Sequence, residues 1–152
     1  MSIFHSMNTT ASALTAQRLR MDVVSSNMAN VDTTRGTYNA ETGKWEPYQR
    51  KSVVLQSKEG SFASYFNKAS GADSAGNGVR ADRIINDDKT PPKLVYDPEH
   101  PDADENGYVQ MPNVDPLREM VDLMSATRSY EANVTVLNAS KGMLLKALEI
   151  GK

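Results

Sequence analysis

The C-terminal quarter of the chain contains the pattern that most restricts the fold. Between residues 116 and 150, mostly apolar side chains recur at alternating steps of three and four, which places them on one face of a helix. The positions of this seam are Met120, Leu123, Thr127, Tyr130, Val134, Leu137, Lys141, Leu144 and Leu148. The spacing predicts a C-terminal helix within a terminal region of residues 113–152.

Both ends of this helix carry recognisable signals. Asp115 is a suitable N-cap, Pro116 suits the first helical position, and Gly151 follows the last seam residue as a stop. Two pairs of opposite charge have helical spacing on the solvent side: Arg118 with Asp122, and Lys146 with Glu149. We therefore predict a helix from about residue 116 to residue 150.

A weaker helical pattern occupies the N-terminal region, residues 1–34. Its apolar positions are Phe4, Met7, Ala11, Leu14, Met21 and Met28, with Arg18 and Ser25 interrupting the seam. The Ser/Thr-rich, acid-free stretch 1–21 is also typical of an organelle transit peptide. Because the pattern continues past Asp22 and has a counterpart at the other terminus, we interpret it as a helix ending near 27–30.

Two asparagines near that end raise a separate question. Asn27 and Asn30 could end the helix, by adopting left-handed backbone geometry or by capping free carbonyls. Alternatively, a polar amide in an apolar seam penalises wrong pairings and could fix the register at which neighbouring chains meet. The sequence leaves both interpretations open.

The middle region, residues 35–112, lacks helical periodicity. Thr42-Gly43 between aromatic-bearing flanks predicts a hairpin, and short strands are predicted in 50–56, 79–87, 93–97 and 108–111. Residues 67–78 are small and polar, which predicts a mobile loop. The expected fold is mainly α with a small β region, the terminal helices pairing as a coiled-coil-like bundle.

Neither terminal helix is expected to be stable alone, because isolated helices in water are marginal. Val121, Met124 and Leu145 widen the C-terminal apolar stripe beyond what a two-helix hairpin would cover. One hypothesis is therefore assembly with other chains, and the alternative is a helical hairpin packed on a small sheet in a monomer. The candidate assembly residues are Phe4, Met7, Leu14, Met21, Asn27, Met28, Asn30, Met120, Leu123, Tyr130, Val134, Leu137, Leu144 and Leu148.

Composition argues against several other classes of protein. The net charge of −2 provides no general attraction to nucleic acid or anionic lipid. No apolar run is long enough for a membrane span, and no cleaved signal peptide is evident. With no cysteine, the chain has no disulfide, thiol or cysteine-zinc chemistry.

One motif suggests a metal site. Residues 102–107 match the first six positions of a calcium loop, with Asp102, Asp104 and Asn106 as ligands, but Asn113 stands where a bidentate Glu is required. An acidic turn is the simpler interpretation, and a calcium-responsive binding module is the alternative function. We find no catalytic constellation and expect no enzyme activity and no cofactor.

Two segments resemble a known family. "SSNMANVDTT" resembles the N-terminal signature of the bacterial flagellar axial proteins, which form the rod and hook. "VYDPEHPDADENGYVQMPNVDPLREMVDLMSATRSYEANVTVLNASKGMLLKALEIG" resembles the C-terminal half of their proximal rod members. The resemblance covers about residues 1–35 and 79–152.

This resemblance implies a structural subunit of the basal-body rod, part of the drive shaft that transmits motor torque. It implies export through the flagellar type III apparatus without a cleaved signal, followed by assembly in the periplasmic space. The implied partners are copies of the chain itself and other rod proteins.

Overall fold

The computed structural model describes residues 3–41, 43–58, 66 and 77–151. Along the chain, a long helix at each end flanks six short strands, which form three pairs. The elements are α1 (Ile3–Ala29), β1 (Thr37–Asn39), β2 (Lys44–Glu46), β3 (Lys51–Ser57), β4 (Val79–Asn86), β5 (Lys93–Tyr96), β6 (Tyr108–Met111) and α2 (Pro116–Ile150). The prediction of a mainly helical chain with a small β region is confirmed.

The strands form three separate two-stranded sheets, β1–β2, β3–β4 and β5–β6. The first and third are antiparallel, with Tyr38 opposite Trp45 and Val95 opposite Val109. Gly43 has φ 65° between β1 and β2, a left-handed conformation that glycine adopts without steric cost. Of the loop predicted over 67–78, residues 67–76 lie outside the described residues.

The predicted ends of α2 are confirmed by hydrogen bonds. The Leu117 amide donates to Asp115 Oδ1 at 3.1 Å, which is the N-cap bond, and the Glu119 amide donates to Asp115 O at 3.0 Å. At the other end, the Gly151 amide donates to Ala147 O at 3.2 Å. The local signals in the sequence were sufficient here because a cap requires only neighbouring residues.

The described residues divide into two compact units. One is drawn from Met1–Leu19, Val54–Arg83 and Ser125–Lys152, and the other from Arg20–Val53 and Ile84–Met124. In the first unit, the Val79 amide donates to Ser12 Oγ at 3.1 Å, and this bond attaches the start of β4 to α1. In the second unit, the buried apolar residues include Val23, Val24, Val109 and Val114.

The burial pattern of α2 differs from the predicted seam at alternate positions. The buried residues are Glu119, Ala126 and Ser140, each one place before a predicted position. Four predicted seam positions do lie at the packed side of α2 and are half-buried: Leu123, Tyr130, Leu137 and Leu144. Ala126 and Ser140 are small and permit closer approach of packed elements, whereas the prediction favoured large apolar groups. The large seam residues Met120 and Leu148 are 49% and 69% exposed within the chain.

A close backbone contact after α1 gives a stability prediction. A Cβ at Gly36 would lie 2.7 Å from both the Cα and the N of Tyr48, so Gly36→Ala forces backbone movement. We expect a loss of about 1–3 kcal/mol in the free energy of unfolding, measured by urea denaturation. Gly142 is the matched control because a Cβ there meets nothing within 4 Å.

In the exposed interior of α2, Gly142→Ala should stabilise the chain by about 0.5–1 kcal/mol. The same chemical change should therefore have opposite signs at the two positions. A Gly36→Ala variant as stable as the parent would contradict the packing described for this contact.

Candidate assembly site

Asn27 is the centre of a buried polar cluster in the second unit. Its side chain is 0% exposed and takes part in four hydrogen bonds. Oδ1 accepts from the Lys51 amide at 2.9 Å and from the Tyr48 hydroxyl at 3.0 Å. Nδ2 donates to Lys51 O at 2.8 Å and to Glu119 Oε2 at 2.9 Å. One amide side chain thus pairs with the backbone of β3 as a neighbouring strand would, and also holds the first turn of α2.

Glu119 is the anionic part of this cluster. It is 0% exposed, and its second oxygen accepts from Arg50 Nε at 2.6 Å. A buried charge is tolerated only when it is paired and hydrogen-bonded, and here both carboxylate oxygens are occupied. Because Glu119 lies in the first turn of α2 and Asn27 in the last turn of α1, the cluster joins the two terminal helices within the second unit.

Asp122 extends the cluster toward the surface. It pairs with Arg20 Nη2 at 2.8 Å and with Arg50 Nη2 at 3.5 Å. These partners come from α1 and from the residue before β3, so the predicted local pair of Arg118 with Asp122 is replaced by contacts distant in sequence. The predicted Lys146–Glu149 pair is confirmed at 2.7 Å.

A second asparagine fixes the chain just before β3. Asn113 Oδ1 accepts from the Arg50 amide at 2.8 Å, and its Nδ2 donates to the carbonyls of Asp87 and Thr90 at 2.9 and 3.1 Å. In the sequence, Asn113 stood out only as the failed twelfth position of a calcium loop. The sequence offered one signal of its structural role, which is its position just before the N-cap of α2.

Asn30 ends α1 as one of the predicted alternatives describes. Its Nδ2 donates to Ser26 O at 2.8 Å, which satisfies a carbonyl at the helix end, and its Oδ1 accepts from Thr33 Oγ1 at 3.2 Å. The other alternative, left-handed geometry, is wrong for both Asn27 and Asn30. Among the described residues, positive φ occurs only at glycines.

Asp102, the first residue of the calcium-loop match, is paired with other residues of the chain. Asp102 Oδ1 accepts from Arg35 Nε and Nη2 at 2.8 and 2.6 Å, and Oδ2 accepts from the Thr34 hydroxyl at 2.8 Å. The hydrogen bonds from Arg35, and then that from Thr34, hold the pKa of Asp102 below its usual value. The carboxylate is therefore a charged partner of the segment after α1. Within the described ranges, no three acidic or histidine side chains are arranged to hold a metal ion.

Large apolar side chains are exposed along both parts of α2. In the second unit, Leu117, Met120, Val121 and Met124 follow the i, i+3, i+4, i+7 spacing of a single helix face. In the first unit, the exposed residues near the end of α2 are Met143, Leu145, Leu148 and Ile150. Exposed apolar surfaces of this kind mark interaction sites. No described helix has the length and apolar character to cross a membrane.

The candidate assembly residues fall into three groups by exposure. Asn27 is buried, and Phe4, Met120 and Leu148 are exposed. The half-buried residues are Met7, Leu14, Met21, Met28, Asn30, Leu123, Tyr130, Val134, Leu137 and Leu144. The contributions of Arg50, Glu119 and Asn113 were not predicted, because nothing in local spacing indicates partners so distant in the chain.

Comparison with known proteins identifies the family. The family model for flagella basal body rod proteins matches residues 7–36, and the model for the C-terminal region of flagellar basal body rod FlgEFG proteins matches residues 105–150. The chain is 64% identical to the flagellar basal-body rod protein FlgC of Bacillus subtilis (strain 168), over 100% of both chains. It is 44% identical to FlgC of Borreliella burgdorferi over 99% of this chain and 98% of that one, and 44% identical to FlgC of Escherichia coli O157:H7 over 100% of both. The chain therefore belongs to the FlgC family of flagellar basal-body rod proteins.

Proposed function

We propose that this chain is a structural, non-enzymatic subunit of the flagellar basal-body rod that assembles through its terminal helices. The observation that carries the proposal is the row of exposed apolar residues on α2, Leu117 to Met124, with further exposed groups at its end. Burying such a surface against other chains removes it from water, and that burial is the main favourable term in most protein association. Its partners are copies of the chain and other rod proteins.

The candidate assembly residues act in two ways in this proposal. Exposed and half-buried groups such as Phe4, Met120 and Leu148 contact neighbouring chains directly. Asn27 is buried, so it acts indirectly by fixing α1 against Lys51 and Glu119. The assembled helices form a coiled-coil-like bundle that carries torque along the rod.

We further propose that the chain is exported by the flagellar type III apparatus without cleavage and assembles in the periplasmic space. Membership of a rod protein family supports this route. An export route of this kind requires passage of an extended chain, and helices that gain their stability on assembly suit it.

Hydrogen exchange tests whether the helix ends become ordered on assembly. In residues 141–150, only Leu144 is half-buried and the others are exposed. We expect amides of residues 4–10 and 141–150 to exchange rapidly in dilute monomer and to become protected in assembled rods.

Residues 20–29 and 119–124 are the internal control, because hydrogen bonds and ion pairs through Asn27, Glu119 and Asp122 hold them within one chain. These amides should be protected in both states. Full protection of both helix ends in dilute, monomeric protein would overturn the proposed coupling.

A further inference from the structure

The exposed side of α1 is small and polar over its last three turns. Between residues 18 and 29, the exposed positions are Arg18, Asp22, Ser25 and Ala29. Steps of four, three and four place these residues on one face of the helix. The fully buried Asn27 lies on the opposite side. We call Arg18, Asp22, Ser25 and Ala29 the α1 face.

The exposed side of α2 carries two large apolar groups followed by two charges. The residues are Val121, Met124, Arg128 and Glu131, all exposed and spaced by three, four and three. Val121 and Met124 have exposed fractions of 60% and 54%. The fully buried Ala126 lies on the opposite side of the helix. We call Val121, Met124, Arg128 and Glu131 the α2 face.

Each face carries one arginine and one carboxylate. None of these four side chains has an ion-pair partner within the part of the chain that the structure describes. Helical spacing alone does not pair them, although the two charges on each face stand only three or four residues apart. All four charges are therefore available to a neighbouring chain, and opposite charges across an interface fix its orientation.

We propose that the α1 face of one copy packs antiparallel against the α2 face of a second copy. This contact rests on the proposed function and names what covers part of the exposed apolar row on α2. On both helices the arginine precedes the carboxylate, so a parallel alignment would oppose like charges. The antiparallel alignment pairs Arg18 with Glu131 of the second copy. It also pairs Asp22 with Arg128 of that copy.

The register that pairs the charges also brings large apolar groups to small ones. Beyond Asp22, α1 continues to Ser25 and Ala29 after three and seven residues. Going back from Arg128, α2 presents its two apolar groups after four and seven residues. Ser25 therefore lies opposite Met124, and Ala29 lies opposite Val121. Packed helices insert side chains of one into grooves of the other, and the small residues of α1 leave room for this over about 16 Å.

The positions of the two faces allow the contact to repeat. In the second unit, Asn27 Nδ2 and Glu119 Oε2 join α1 to α2 at 2.9 Å, and each residue lies on the side of its helix away from the exposed face. The two faces of one copy therefore point away from each other. A contact between different surfaces produces a ring when the rotation closes and an open helical assembly when it does not. This docking can accordingly continue from copy to copy.

Disulfide cross-linking tests the contact directly, because the chain contains no cysteine of its own. Ser25→Cys is placed on a copy with one tag and Met124→Cys on a copy with another tag, and purified basal bodies are treated with an oxidant. We expect a product with both tags, since a disulfide requires Cβ atoms within about 3.5–4.5 Å of each other. Absence of this product from basal bodies that contain both copies would overturn the proposal.

Thr135→Cys in place of Met124→Cys is the matched control for orientation. Thr135 is exposed on the same side of α2. A parallel alignment of the charges would bring it to Ser25, whereas the antiparallel alignment leaves it about 15 Å away along the helix. We expect no doubly tagged product with this cysteine. Efficient cross-linking at Thr135 would overturn the proposed orientation.

Exchange of charges supplies the second arm. Arg18→Glu with Asp22→Arg, or Arg128→Glu with Glu131→Arg, should each lower the doubly tagged product about tenfold, because like charges then face each other at two positions. All four substitutions together, carried on both tagged copies, should restore it. Glu41→Arg, an exposed reversal in the β1–β2 turn, should leave the yield unchanged. Loss without restoration would overturn the pairing.

Failure of this inference can be told apart from failure of the proposed function. The tagged parent chain, without added cysteines or charge changes, should be present in purified basal bodies if it is a rod subunit. If it is present and the cysteines at Ser25 and Met124 do not join, the docking is wrong and the rod function stands. If the parent chain is absent from basal bodies, both are wrong.

Discussion

Met120→Asp combined with Leu148→Asp should abolish incorporation of the chain into rods and eliminate swimming. Both side chains are exposed, so the charges cost the isolated subunit little. In an assembled interface, each carboxylate would be buried without a partner, at a cost of several kcal/mol. A combined penalty of about 4 kcal/mol or more lowers affinity at least 1,000-fold. Soft-agar motility and the rod content of purified basal bodies measure the effect.

Asn138→Asp is the matched control, because it introduces the same charge on an exposed position of α2. This control should swim normally, and all variants should have the circular dichroism of the parent. Cell fractionation distinguishes assembly from export: the double variant should still reach the periplasm when the export apparatus works. Normal swimming by the double variant would refute assembly through these helices.

Asn27→Ala should cost about 3–5 kcal/mol in the free energy of unfolding. The substitution leaves the Lys51 amide without its partner and removes one of the two groups that bind buried Glu119. A buried polar group left unsatisfied costs about 1–3 kcal/mol, and more when charged. Urea denaturation monitored by circular dichroism measures the loss.

Asn30→Ala is the comparison, since it removes a half-buried cap at the end of the same helix. Losing that cap should cost about 1 kcal/mol. The expected difference between the two asparagines reflects the number and burial of their contacts. Equal losses in the free energy of unfolding for the two variants would contradict the prediction that the buried contacts of Asn27 stabilise the fold more than the cap at Asn30.

The elements themselves were predictable from the sequence because their causes are local. The cap at Asp115, the stop at Gly151, the hairpin around Gly43 and the strand Tyr108–Met111 all depend on residues within a few positions of each other. The Lys146–Glu149 pair belongs to the same class, since helical geometry alone brings those residues together.

The contacts of the candidate site were not predictable in this way. Asp122 was expected to pair with Arg118, its helical neighbour, but pairs with Arg20 and Arg50. The buried face of α2 uses Glu119, Ala126 and Ser140, where hydrophobicity favoured the larger neighbours. Burial depends on which surfaces approach each other, and periodicity does not contain that information.

The sequence by itself determined where the two helices and the strands lie, and its resemblance to rod proteins indicated the family. Only the tertiary structure decided the role of Asn27, whose amide pairs with Lys51 and Glu119 at sequence separations of 24 and 92. An amide side chain offers two donors and an acceptor in any context, and the groups that satisfy it are known only once the chain has folded.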